Sequence, residues 1–143
     1  VILYLDTSAL VKLYVEERGS AAVAEWVAEA GIVAAARIAY AEARAAFARS
    51  RREGGLTPAS LRRVVAHLDD DWARYAIVEI TDAVVRTAGR YAERHALRGF
   101  DALHLAAATE LRRPKGAVAF GCFDRALNRA AQGEKLLPLA SVR

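Results

Sequence analysis

Apolar and polar positions along this chain change period several times, and each change marks an element. Residues 1–5, "VILYL", form an unbroken apolar run that stops at Asp6, Thr7 and Ser8. A run of that length bounded by capping residues predicts a buried strand, and Asp-Thr-Ser predicts the start of a helix reaching Tyr14. A second helix is expected from Ser20 to about Glu29, closed by Gly31, with "IVAAA" (32–36) as the next strand. Residues 37–55 then take a helical period. Ile38, Ala41, Ala45 and Phe47 or Ala48 form the expected buried stripe, Arg44, Arg51 and Arg52 lie outside it, and Gly54-Gly55 is the stop.

Thr57-Pro58 opens a further helix in the favoured order of cap then proline, and this helix is expected to pair with the preceding one as a hairpin. "AIVEI" (76–80) predicts a third strand, followed by a helix that Thr81-Asp82 caps and that runs to about His95. The next helix is expected from near Phe100 to Arg113, where Pro114 stops it. "AVAFGCF" reads as a fourth strand, with Asp124 at its tip capping "RALNRAAQG". "KLLPL" reads as an edge strand, the only sheet position that tolerates Pro138. Strands alternating with helices imply a parallel sheet covered on both faces. With 143 residues and no internal repeat, low-complexity segment or linker, the chain reads as one domain spanning 1–143.

Composition changes this picture little. Hydrophobic residues make up 55% and charged residues 27%, a globular balance far from that of disordered chains. No apolar run approaches the roughly 20 residues that span a bilayer, and no basic region precedes the first apolar run as in a secretory leader. A cytoplasmic protein without a membrane segment is the expectation. The single cysteine, Cys122, leaves no partner for an internal disulfide or a cysteine zinc cage, and is read as a small buried hydrophobe. The net charge of +4 comes almost wholly from arginine, which suits phosphate contacts but also follows from genome base composition.

The candidate chemistry lies at strand ends, where open α/β sheets form their crevices. Asp6 follows the first strand, Glu42 lies early in the helix after the second, Asp101 starts the helix before the fourth, and Asp124 follows the fourth. Which way Asp101 faces is left open by the sequence, because its helix follows another helix. Gathered carboxylates repel unless a cation intervenes, and an all-oxygen set favours Mg²⁺ or Mn²⁺. Such a pocket in a basic protein suggests phosphodiester hydrolysis, with Thr7 and Ser8 as supporting hydroxyls. Taken singly, Asp6 and Asp124 read better as helix caps than as ligands. His104, one turn from Asp101, reads first as a hydrogen-bonded structural histidine. Asp69, Asp70 and Asp71 fan out on a helix and read as a solvated face. Trp26 and Trp72 read as core or interface residues, and no phosphate-cradling glycine motif is present.

Together "YLDTSALVKLY", "AYAEARAAFAR", "FDALHLAAA" and "FDRALNRAA" resemble the PIN-domain family, in particular the VapC-type toxin ribonucleases of toxin–antitoxin pairs, over nearly the whole chain. The resemblance implies a three-layer α/β/α sandwich with a central parallel sheet of four to five strands. It implies an endoribonuclease dependent on Mg²⁺ or Mn²⁺, in which Asp6 and Asp101 are central metal ligands, Glu42 binds metal directly or through water, and Asp124 completes the site. Ser8 matches the hydroxyl that accompanies the first Asp. Two positions depart from the pattern: Cys122 stands where many relatives carry Ser or Thr, and Ala36 stands before the helix that bears Glu42.

The resemblance further implies a cognate antitoxin laid across the groove, and a homodimer, for which the apolar early helices offer a face. Basic residues that could form an RNA-binding rim are Arg49, Arg51, Arg52, Arg112, Arg113 and Lys115. Asn128, one turn after Asp124, could add a polar contact or face solvent. A haloacid-dehalogenase-like phosphatase would need an Asp two residues after Asp6, where this chain has Ser8. A PIN fold kept only as an RNA- or protein-binding module is the non-enzymatic alternative.

Overall fold

A computed structural model describes residues 1–139. The four apolar runs form β1 (Ile2–Leu5), β2 (Ile32–Ala36), β3 (Ala76–Val78) and β4 (Val118–Gly121). All pair in parallel in the order β3-β2-β1-β4. Alternation along these strands sends side chains to two separate cores. Leu3, Leu5, Ala35 and Ala119 meet α1 (Thr7–Val11), α2 (Ser20–Glu29), α3 (Ala39–Arg52) and α4 (Pro58–Trp72). Tyr4, Ala34, Ala36 and Phe120 meet α5 (Asp82–His95), α6 (Gly99–Glu110) and α7 (Arg125–Gly133) on the other face. The result is the three-layer sandwich that the sequence predicts, with four strands.

The sheet order also locates a crevice. From β1 the chain winds outward through β2 to β3, then crosses the opposite face through α5 and α6 to return as β4 on the far side of β1. The winding direction therefore reverses between β1 and β4, and a crevice opens beyond their carboxyl ends. Gly121 keeps these two strands close at that end. A Cβ there would stand 2.7 Å from Leu5 Cδ2 and 3.3 Å from Trp26 Cε3.

Most boundaries fall where the pattern puts them, and the exceptions have physical reasons. The buried stripe of α3 is Ala39, Ala43 and Phe47, whereas Ala41 and Ala45 are exposed. Alanine on nearly every face leaves the period without a preferred side, and Phe47 alone sets the rotation. The α6 helix ends at Glu110, three residues before Arg113, and its last turn tightens through Leu111 N–H to Ala108 O and Arg112 N–H to Thr109 O. "KLLPL" makes one bridge, Ala119 to Leu137, on the outer edge of β4 and forms no full strand. Pro138, with no N–H, cannot extend it. Trp26 is buried against Phe123, and Trp72 sits between Tyr40 and Tyr75. Asp69 and Asp70 are exposed, while Asp71 accepts from Tyr14 Oη at 2.8 Å.

One polar clasp holds the ends of α5, α6 and α7 together. The carboxylate of Glu134, only 11% exposed, accepts from Arg94 Nη1 at 2.6 Å and from His95 Nε2 at 2.7 Å. Arg112 Nη1 donates to the Glu134 carbonyl at 2.8 Å. Burial pushes the Glu134 pKa up, but the bonds from His95 and Arg94 outweigh it and hold the group below its usual value. A depressed carboxylate stabilises the fold above its unfolded pKa, and that contribution fades as pH falls through the folded pKa. Glu134→Gln should therefore cost about 1.5–3 kcal/mol at pH 7 in urea unfolding. The gap to the native chain should hold down to the ordinary glutamate range and close below it.

Candidate active site

Four carboxylates stand at the amino ends of four helices along the carboxyl edge of the sheet. Asp6 is the N-cap of α1 and Asp124 the N-cap of α7, while Glu42 and Asp101 lie in the first turns of α3 and α6. The unpaired N–H groups at a helix start favour negative charge, which offsets part of the repulsion among carboxylates brought together. α6 also settles the direction that the sequence leaves open. His104, one turn after Asp101, reaches the Tyr4 hydroxyl on β1, so the start of α6 faces the crevice.

Asp6 is 7% exposed. Its Oδ1 accepts from Ser8 Oγ at 2.8 Å and from the Ala9 amide at 2.9 Å. Burial raises its pKa, opposed by the Ala9 and Ser8 bonds, and the nearby charge of Asp101 raises it further. Glu42 Oε1 accepts from Thr7 Oγ1 at 2.6 Å and from His104 Nε2 at 3.0 Å. Burial works against its charge, but the His104 and Thr7 bonds prevail and hold its pKa below the usual range. Asp101 Oδ2 accepts two 3.3 Å bonds from the Arg98 guanidinium. Asp124 Oδ1 accepts from the Leu127 amide at 2.9 Å.

Each carboxylate thus commits one oxygen to a donor within the protein. The other, Oδ2 of Asp6 and Asp124, Oε2 of Glu42 and Oδ1 of Asp101, has no hydrogen-bond partner among the described residues. Four spare, all-oxygen donors suit Mg²⁺ or Mn²⁺ in kind. In number within reach they fall short, since no three Asp, Glu, His or Cys side chains among the described residues are grouped to hold one ion. The partners account for this, because Asp6, Asp101 and Asp124 are each drawn toward their own helix, whereas Glu42 is drawn across to Thr7 on α1 and His104 on α6.

The two departures from the family pattern have visible consequences. Burial, followed by the charges of Asp6, Asp124 and Asp101, pushes the Cys122 thiol well above its usual range, so it stays neutral and is no nucleophile. Its Sγ donates weakly to the Asp124 carbonyl at 3.7 Å, a partial substitute for a hydroxyl. With Ala36 before it, α3 has Ile38 as its N-cap and no side-chain cap. Asn128 holds the same loop, with Nδ2 donating to the Cys122 carbonyl at 3.1 Å.

The six basic residues expected at the rim are not gathered at the crevice. Arg112, Arg113 and Lys115 follow the far end of α6, and a helix of 12 residues is about 18 Å long. Arg112 and Arg113 also donate to backbone carbonyls there. Arg49, Arg51 and Arg52 occupy the last turn of α3, with Arg49 paired to Glu53. Sequence reasoning missed Arg98, the basic residue that does reach the site. Its signal was its spacing, three residues before Asp101 at a helix start.

A family model described as the PIN domain matches residues 3–133. The chain belongs to the PIN-domain family. Two relatives of this PIN domain, Ribonuclease VapC45 and Ribonuclease VapC49 of Mycobacterium tuberculosis, are each 38% identical to it over 130 residues, or 91% of this chain and 89% of theirs. Among solved structures, VapBC2 from Rickettsia felis bound to a DNA fragment from its promoter matches this PIN domain with a TM-score of 0.64. That match covers 97% of this chain and 98% of the other at 15% identity, a likeness of fold. Among the described residues no helix is long and apolar enough to cross a membrane.

Proposed function

We propose that this PIN domain is a metal-dependent endoribonuclease toxin, restrained by a cognate antitoxin. The observation that carries the reading is the free oxygen on each of Asp6, Glu42, Asp101 and Asp124 at one sheet edge. Relatives named as ribonucleases support the activity, and a neighbour described as VapBC supports the partner. Asp6 and Asp101 would hold a Mg²⁺ or Mn²⁺ ion, with Glu42 and Asp124 completing its shell. When bound, such an ion supplies Lewis acidity toward a phosphate and lowers the pKa of a water.

The chain's own residues prepare that chemistry. β1 fixes the backbone of Asp6, and Ser8 and the Ala9 amide lock one oxygen so that the other keeps a single direction. Thr7 and His104 do the same for Glu42. Arg98, paired with Asp101, offers a cation for an RNA phosphate. Arg49, Arg51 and Arg52 lie about 10–15 Å farther along α3, within reach of a strand several nucleotides long. The homodimer is proposed through α5 and α6, because the exposed large hydrophobes there are Val85 and Phe100, and α1 and α2 expose none.

The reading of a non-catalytic module is favoured by one observation, the lack of a three-ligand group. Incubating the purified chain with structured RNA and Mn²⁺ separates the two. Cleavage that EDTA stops is the result expected of the enzyme, and RNA retention without cleavage is the result expected of the module.

A further inference from the structure

His104 is buried between Tyr4 on β1 and Glu42 on α3, 3% exposed, with both ring nitrogens engaged. The Tyr4 hydroxyl is 2.6 Å from Nδ1, while Nε2 lies 3.0 Å from Glu42 Oε1 and 3.2 Å from Thr7 Oγ1. The donors follow by elimination. An ionised carboxylate only accepts, so the nitrogen facing Glu42 carries hydrogen. The Tyr4 side chain is fully buried, and among the described residues Nδ1 is the one side-chain hydrogen-bond partner of its hydroxyl. Were Nδ1 protonated too, the phenolic hydrogen would be buried with no acceptor, a costly arrangement. Tyr4 therefore donates to Nδ1, and the ring is the neutral Nε2–H tautomer.

We infer that His104 is a positioning residue: its Nε2–H, set by Tyr4, joins the Thr7 hydroxyl in clamping Oε1 of Glu42, so that Oε2 is the oxygen Glu42 would offer to a cation. The inference rests on the proposal that Glu42 belongs to a metal site, and it adds a consequence for selectivity. Mg²⁺ and Mn²⁺ accept single carboxylate oxygens in an octahedral shell, whereas Ca²⁺ favours more oxygens and readily takes both from one carboxylate. A clamp that withholds one oxygen disfavours Ca²⁺.

Two measurements on the full chain test this. In the metal-free protein, long-range ¹H–¹⁵N spectra of the three histidine rings should show His104 as Nε2–H at neutral pH; an Nδ1–H or doubly protonated ring overturns the inference whatever the metal does. Calorimetric titration with Mn²⁺ and with Ca²⁺ supplies the second readout. His104→Leu and Thr7→Val should each lose about 10–100-fold in Mn²⁺ affinity, and the Mn²⁺ to Ca²⁺ preference should narrow. His104→Gln, which restores a donor toward Glu42, should recover most of both. Native-like Mn²⁺ affinity and preference in folded His104→Leu and Thr7→Val overturn the clamp and leave the metal site standing. A native chain that binds no Mn²⁺ overturns the metal site itself, and with it the selectivity, whereas the ring spectra still judge the tautomer.

Discussion

Asp6→Asn is expected to melt above the native chain when both are free of metal, and to bind Mn²⁺ too weakly to measure. Asn keeps the oxygen that accepts from Ser8 and from the Ala9 amide, so the start of α1 survives. What disappears is a buried charge whose pKa is raised chiefly by burial and further by Asp101. A carboxylate with a raised folded pKa weakens the fold increasingly as pH rises from its unfolded to its folded pKa, and by a constant amount above that. The gain should be about 0.5–2 kcal/mol at pH 7, the usual size when a site built for function is relaxed. It should shrink as pH falls through the folded pKa of Asp6, because the native group then takes up its proton. Thermal melts between pH 4 and 8 check the sign. A variant less stable at pH 7 would show that the Asp6 charge is compensated within the protein and needs no cation.

Phe120→Ala should be the most damaging single truncation beside the site. Phe120 is buried in β4, stacked on Tyr4 with ring centroids 5.6 Å apart and planes within 6°. Replacing it leaves a cavity in the face covered by α6 and α7, at a cost of about 3–5 kcal/mol. In a chain of this size that lowers the melting temperature by on the order of 10 °C or more. Because Tyr4 then loses the ring that fixes its plane, its bond to His104 should loosen as well. Calorimetric melting measures the first effect, and the His104 ring signals report the second. A shift of only a degree or two would mean that the face repacks around the gap.

Continuous apolar runs made the strands legible, since "VILYL", "IVAAA" and "AVAFG" have few other ways to be buried. Capping residues made helix starts legible in the same way, and Asp6, Thr57, Thr81 and Asp124 all accept from a backbone amide three residues on. The side of α3 that is buried could not be read, because alanine marks neither face. Carboxylates at strand ends were recognisable because topology alone brings those positions to one edge. The basic residues were not, because a run such as Arg49, Arg51 and Arg52 shows charge without showing which end of a helix faces the crevice. His104 was read as structural, and it is hydrogen-bonded on both nitrogens. Only the fold shows that one of those bonds reaches Glu42, 62 residues away.

RNA cleavage by the native chain, Asp6→Asn and Asp101→Asn, each with Mn²⁺ and matched for folded protein, tests the central claim most directly. The account predicts cleavage by the native chain alone, with both variants slower by about a thousandfold or more, equivalent to about 4 kcal/mol of lost transition-state stabilisation. Undiminished cleavage by the two variants would contradict it.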